Sequence, residues 1–234
     1  MFIRQESLKG FIQLYPVVTT ICVLQLVIWL IMQIPHPLST LLFALLSGYN
    51  GGVNAGEWWR LITPIFLHAN FSHLFFNTIS LILFAPPLET MLRSTKFIFI
   101  YLISGVLANL ATFIFESENY IHVGSSGAIF GLFGVYVFIV MFRKNYIDRQ
   151  NSQLILTILA IGLVMTFASP NTNAVAHISG LLFGFILAPL FMKKEQFTHY
   201  TYYEQPRKNA SYFTHLIWIL IIIAILLLSI ILFI

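Results

Sequence analysis

Three short stretches hold the residues whose types and spacing could do chemistry. They are Gly124-Ser125-Ser126-Gly127, His73-Leu74-Phe75-Phe76-Asn77 and Ala176-His177-Ile178-Ser179-Gly180. A serine hydroxyl is a weak nucleophile until a base takes its proton, and a histidine has a suitable pKa for that task. Ser126 is the candidate nucleophile. His177 is the candidate base, and afterwards the acid for a leaving amine. A tetrahedral oxyanion needs donors aimed at it. The Asn77 amide, the His73 imidazole and the backbone N–H groups around Ser126 could supply them, with a helix dipole in support. A third, orienting carboxylate is expected in a Ser-His-Asp triad. The only aspartate is Asp148, which the topology below puts across the membrane, and Glu57, Glu116 and Glu118 fall outside any outer helix turn. The expectation is therefore a Ser–His dyad, with packing under the imidazole in place of the third member. Phe130, four residues after Ser126, could provide that packing.

Each residue also has a blander explanation. Small residues at intervals in membrane helices usually let helices approach. Gly127, Gly131 and Gly134 suit that role, as do Gly180 and Gly184. His177 alone could be a buried histidine bonded to a carbonyl. A serine, two histidines and an asparagine at one depth are poorly explained that way, and glycine stripes would bring Ser126 and His177 together. Packing and catalysis are then complementary. Other hydrolase patterns fail: no HExxH zinc motif is present, position 128 is alanine where GxSxG needs glycine, and one aspartate cannot make an aspartyl pair.

The elements that must carry these residues follow from composition. Of 234 residues 59% are hydrophobic and 9% charged, against roughly 25% charged in soluble domains. The chain reads as an all-α polytopic membrane bundle with one membrane domain. The net charge of +4 does not point to nucleic acid, because the basic residues do not cluster. The lone Cys22 excludes a disulfide within one chain. The first apolar run is too long for a signal-peptide core and lacks a small-residue cleavage site, so it reads as a retained anchor.

Apolar runs predict helices over about 17–34, 72–85, 97–115, 125–142, 154–168, 174–192 and 215–234. Pro35 and Pro37 end the first, and Pro86-Pro87 are expected to end the second. The fifth is short. Residues 38–46 are apolar but too short to span, so a helix lying in the interface is expected, helped by Trp58 and Trp59. With the N-terminus cytoplasmic, 11 of the 12 basic residues fall inside and only Arg60 outside, as the positive-inside rule requires. The second, fourth and sixth helices then run from outside to inside. His73, Ser126 and His177 each lie about one turn into one of them, 53 and 51 residues apart, enough for one crossing down and one back. All three return to one shallow depth. His73 and Asn77 share a helical face, and polar side chains within a membrane usually face the bundle interior and mark function.

At these residues the chain resembles the rhomboid family of intramembrane serine proteases, over about residues 50–190. Glu57-Trp58-Trp59-Arg60 is similar to the family's WR motif in the first outer loop. The stretch 73–77 is similar to its HxxxN, 124–127 to GxSG, and 176–184 to AHxxGxxxG. Where many members have tyrosine, this chain has Phe130. The resemblance implies Ser126 as nucleophile, His177 as base, His73 and Asn77 as oxyanion donors, and Trp59 and Arg60 as structural residues of the outer loop. It implies cleavage of single-pass membrane proteins near the outer boundary of the bilayer, at small residues in a locally unstable helix. It also implies a six-helix core plus one: a cytoplasmic start over 1–16, a core over 17–192 with a long outer loop at 35–71, a linker over 193–214 and a seventh helix over 215–234. The short fifth helix and residues 169–173 are candidate gate and cap. No metal or cofactor is expected, the oligomeric state stays open, and a bacterial plasma membrane is the expected location. Three alternatives remain: an inactive rhomboid-like scaffold, a transporter or channel, and a serine hydrolase acting on lipid.

Overall fold

The computed structural model describes residue 2, residues 5–170 and residues 172–192. The linker over 193–214 and the helix expected over 215–234 lie outside the described residues. Eight α-helices follow one another among those described: α1 Leu8–Leu14, α2 Pro16–Met32, α3 Pro37–Leu46, α4 Asn50–Asn54, α5 Phe71–Phe115, α6 Ser126–Phe142, α7 Arg149–Ala168 and α8 Ala174–Phe191. A short antiparallel ladder pairs β1 (Gly48–Tyr49) with β2 (Ile121–His122) and ties two interhelical connections together. α5, α7 and α8 are long and apolar enough to span a membrane, and the pair α1–α2, bent by 109°, passes the same test together.

α5 has 45 residues. A straight helix of that length would reach about 68 Å, more than twice the roughly 30 Å of a hydrocarbon core. It is broken at Arg93, whose backbone is non-helical (φ 65°, ψ 153°). The two legs then double back. His73 on the first leg and Ala108 on the second both adjoin the start of α6, at Gly124 and Gly127. Phe84 packs on Phe133, deeper along α6. The first leg is thus parallel to α6 and the second antiparallel, which gives two crossings.

The proline pair does not end the second predicted helix: Pro86 and Pro87 lie inside α5. Proline removes an N–H and leaves backbone carbonyls short of a donor. In a membrane such groups are re-satisfied by neighbouring helices. The helical bonds that Pro86 and Pro87 cannot make are those to the Ile82 and Leu83 carbonyls, four residues back; just beyond these, the Tyr136 hydroxyl of α6 donates to the Phe84 carbonyl at 2.6 Å and braces the helix there. The predicted fifth helix is not short either. It starts at Arg149, because the Asp148 side chain accepts the Asn151 N–H at 2.8 Å and caps it. The end of the first leg of α5, just before the break at Arg93, also anchors α2. Glu89 is fully buried and accepts the N–H groups of Val17 and Val18 (3.1 and 3.0 Å) and the Ser94 hydroxyl (2.6 Å). A carboxylate there satisfies two of the donors that a helix N-terminus leaves open.

The connection over 35–71 is largely structured. α3 is the short apolar helix expected there. Trp58–Leu61 and Thr63–Phe66 form tight 3₁₀ turns beside it. Arg60 is buried, and its Nη1 donates to the carbonyls of Ala44 and Ser47 (2.7 and 2.8 Å) while its Nε pairs with Glu57. Trp59 Nε1 donates to the Leu45 carbonyl at 3.1 Å. Both side chains therefore tie the turn after α4 to the last turn of α3, and Gly124 N–H joins in by donating to the Pro64 carbonyl at 2.9 Å.

Candidate active site

α6 is where the three motifs meet. Ser125 occupies its N-cap and Ser126 its first helical position. Most of the helix is buried, from Gly127 through Tyr136. α6 and α8 approach so closely that no side chain fits between them at three points. A Cβ on Gly180 would strike the Gly127 carbonyl, one on Gly184 the Gly131 carbonyl, and one on Gly134 the Leu181 carbonyl. The two helices thus run parallel with backbone against backbone, the close approach that small residues permit in membranes. A Cβ on Gly127 would also lie 3.5 Å from the Ala176 carbonyl. Ala176 precedes His177, so the seam sets His177 level with the first turn of α6.

Two side chains fix the His177 ring, which is 8% exposed. Phe130 lies flat against it, with ring centroids 4.2 Å apart and planes within 16°. That is the packing expected under the imidazole. The second contact was not foreseen: His177 Nδ1 and Thr166 Oγ1 are 2.8 Å apart. Thr166 belongs to α7 and is 3% exposed. Periodicity marks its face, because Ile155, Leu159 and Thr166 are the buried residues of α7, but a lone threonine in an apolar helix usually bonds its own backbone.

On the other side of Ser126 stand the candidate oxyanion donors. The Asn70 side chain accepts His73 N–H at 2.8 Å and caps the start of α5. The His73 ring then lies against Gly124, where a Cβ would come within 2.6 Å of its Cε1 and Nε2. Gly124 also has φ +124°, a conformation side chains avoid. Asn77, one turn on, is buried at 7% exposure, and its Nδ2 makes no hydrogen bond among the described residues. A buried amide N–H without an acceptor is costly, and this one lies 3.8 Å from the Cβ position of Gly124. His68, edge-on to His73 at 5.1 Å, precedes α5. Burial, with His73 adding to it, pushes the His68 imidazole down to about 3, so it stays neutral at physiological pH. The structure thus gathers Ser126, His177, His73 and Asn77 around the N-terminal end of α6, while Trp59 and Arg60 brace the loop beside them.

A rhomboid domain model matches residues 55–194, well over half of the chain. The chain belongs to the rhomboid family. It is 50% identical over 196 residues to the Bacillus subtilis protein YdcA, whose name places it among rhomboid proteases; the match covers 84% of this chain and 98% of that one. It is 38% identical over 139 residues to rhomboid protease GluP of the same organism, covering 59% of this chain and 27% of GluP. A rhomboid-like protease 1 of Toxoplasma gondii is 30% identical over 162 residues, 68% of this chain and 55% of the relative. The apolar helices and the family together make this a multi-pass membrane protein. Among the described residues no group of three or more His, Cys, Asp or Glu side chains could hold a metal ion.

Proposed function

We propose that this rhomboid is an intramembrane serine endopeptidase that cuts single-pass membrane proteins near the outer boundary of the bilayer. The observation that carries the reading is the α6–α8 seam, which puts the first turn of α6, with Ser126, beside Ala176-His177 while Phe130 holds the imidazole flat. In this reading His177 takes the Ser126 proton as Oγ attacks the scissile carbonyl. The Asn77 amide, the His73 ring and the N–H groups at the start of α6 receive the oxyanion. His177 then returns the proton to the leaving amine, and water releases the acyl group by the reverse steps. Neither a metal nor a cofactor has a part in this. A substrate helix must open before its carbonyl is exposed, because backbone groups in lipid resist losing their partners. Segments with small residues and weak helix propensity are therefore the substrates expected. α7 is the lateral gate in this reading.

The test compares the full chain with Ser126→Ala in detergent on a single-pass reporter, with fragments identified by mass spectrometry. Wild type alone is expected to cut, near the outer boundary, with a loss of at least about 10³-fold in Ser126→Ala, comparable to removal of a nucleophile elsewhere. Equal cleavage by both proteins would sink the nucleophile assignment. If neither cuts, labelling by a fluorophosphonate probe decides: Ser126-dependent labelling means a live site and an unsuitable reporter, and none points to a client-binding scaffold.

A further inference from the structure

Resting on the Ser126–His177 reading, we infer that Thr166 is the missing third member of the site: a positioning residue that holds His177 in its Nδ1–H tautomer and leaves Nε2 as the base. The argument is one of proton counting. A threonine hydroxyl has one proton to give. Thr166 Oγ1 lies 2.7 Å from the Gly162 carbonyl oxygen, one turn back in α7. Two oxygens that close need a proton between them, and the carbonyl has none, so Thr166 donates to Gly162. Its remaining capacity is as an acceptor. The same oxygen is 2.8 Å from His177 Nδ1. Nδ1 must therefore be the donor, and a neutral imidazole protonated at Nδ1 has its lone pair on Nε2.

That is the job an orienting group does in a serine hydrolase: it fixes tautomer and ring orientation, and it still accepts a hydrogen bond when the ring gains a second proton. A carboxylate would do this with a full charge, at a high cost of burial in a membrane. A hydroxyl already anchored to a carbonyl does it without charge. Phe130 fixes the plane of the ring and Thr166 fixes its rotation within that plane.

The consequence is that the hydroxyl, and not the volume, of residue 166 matters. In the full-length enzyme Thr166→Val keeps the shape and removes the acceptor. It is expected to lower kcat by about 10- to 100-fold, the range seen when a partner orienting a functional histidine is lost, with KM within about two-fold. Thr166→Ser is expected to restore kcat to within about three-fold of wild type. If Ser fails as badly as Val, or Val costs nothing, the assignment is overturned. A readout that needs no turnover separates this from the dyad itself. In protein carrying Ser126→Ala and ¹⁵N-histidine, with the His177 signals identified by their loss in His177→Gln, the ring nitrogens report the tautomer. An Nδ1–H ring that shifts towards Nε2–H with Thr166→Val supports the proposal, whatever the activity assays say of Ser126. An Nε2–H ring with Thr166 in place, or a tautomer indifferent to the substitution, overturns it. Should Thr166→Val not fold, the Ser variant and the unsubstituted tautomer still decide.

Discussion

α6 and α7 both reach His177, and they are held in opposite ways. α6 is buried along most of its length and meets α8 at Gly127, Gly131 and Gly134 with no side chain between the backbones. α7 buries Ile155, Leu159 and Thr166, and leaves Ile161, Val164, Met165 and Phe167 more than half exposed. The seam positions the helix that carries Ser126 by steric exclusion, which tolerates no adjustment. α7 holds the Nδ1 of His177 by one hydrogen bond on a lightly packed helix. A site assembled this way has a rigid half and a half that can yield. The proposed side entry of a substrate helix needs both, and the difference makes the two helices respond differently to the same kind of substitution.

The largest effect is expected in the seam. In Gly184→Ala the new methyl would collide with the Gly131 carbonyl, a backbone atom that cannot rotate away. Overpacking in cores costs about 1–3 kcal/mol and occasionally more, and with backbone on both sides the upper end or beyond is expected. Thermal denaturation in detergent should show a clear drop in midpoint, and the fraction that still folds should lose cleavage, since His177 shifts relative to Ser126. A variant as stable as wild type would show that α8 can move off α6, and the contrast with α7 would disappear.

A smaller effect tests what the seam is for. Phe130 stacks on His177 from α6, so Phe130→Leu keeps apolar contact and loses the ring face. Aromatic pairs are worth about 0.5–1.5 kcal/mol beyond burial, which corresponds to about 3- to 10-fold in kcat. The thermal midpoint should move little. A loss of stability as large as that of Gly184→Ala, with kcat unchanged, would reassign Phe130 from the site to the core.

Much of this arrangement is written in local pattern. Hydropathy marks the spans. The 53- and 51-residue spacings return His73, Ser126 and His177 to one level because each equals one crossing down and one back. The four-residue step from Ser126 to Phe130 puts an aromatic beside the histidine. What escaped that reading depends on partners distant in sequence. Pro86 and Pro87 look like a stop, yet the helix runs on through them, packed on α6, to the break at Arg93. Arg93 breaks α5 without a glycine or proline to announce it. Asp148 caps α7 through the Asn151 N–H, three residues on, and so starts that helix five residues before its apolar run begins. The only local signal at Thr166 is its place on the buried face of α7. A hydroxyl in a membrane helix bonds the carbonyl one turn back by default, and this one bonds that of Gly162. Its second bond exists only because α7 is seated with that face towards α8.

The smallest effect comes from the counterpart of the seam glycines on α7. Gly162 lies beside the Phe130 ring, and a Cβ there would sit 3.4 Å from Cζ, at the edge of ordinary contact, against an atom that can give way. Alanine in place of glycine also gains about 0.8–1 kcal/mol of helix propensity. The two terms nearly cancel, so Gly162→Ala should change the thermal midpoint by little and leave kcat within about two-fold. The Gly162 carbonyl remains, so Thr166 keeps its acceptor and His177 its donor geometry. The same one-methyl change is thus severe at Gly184 and nearly silent at Gly162. If Gly162→Ala instead cost as much as Gly184→Ala, α7 would be locked as tightly as α8. Side entry past α7 would then be closed, and the Thr166 bond would be a static brace.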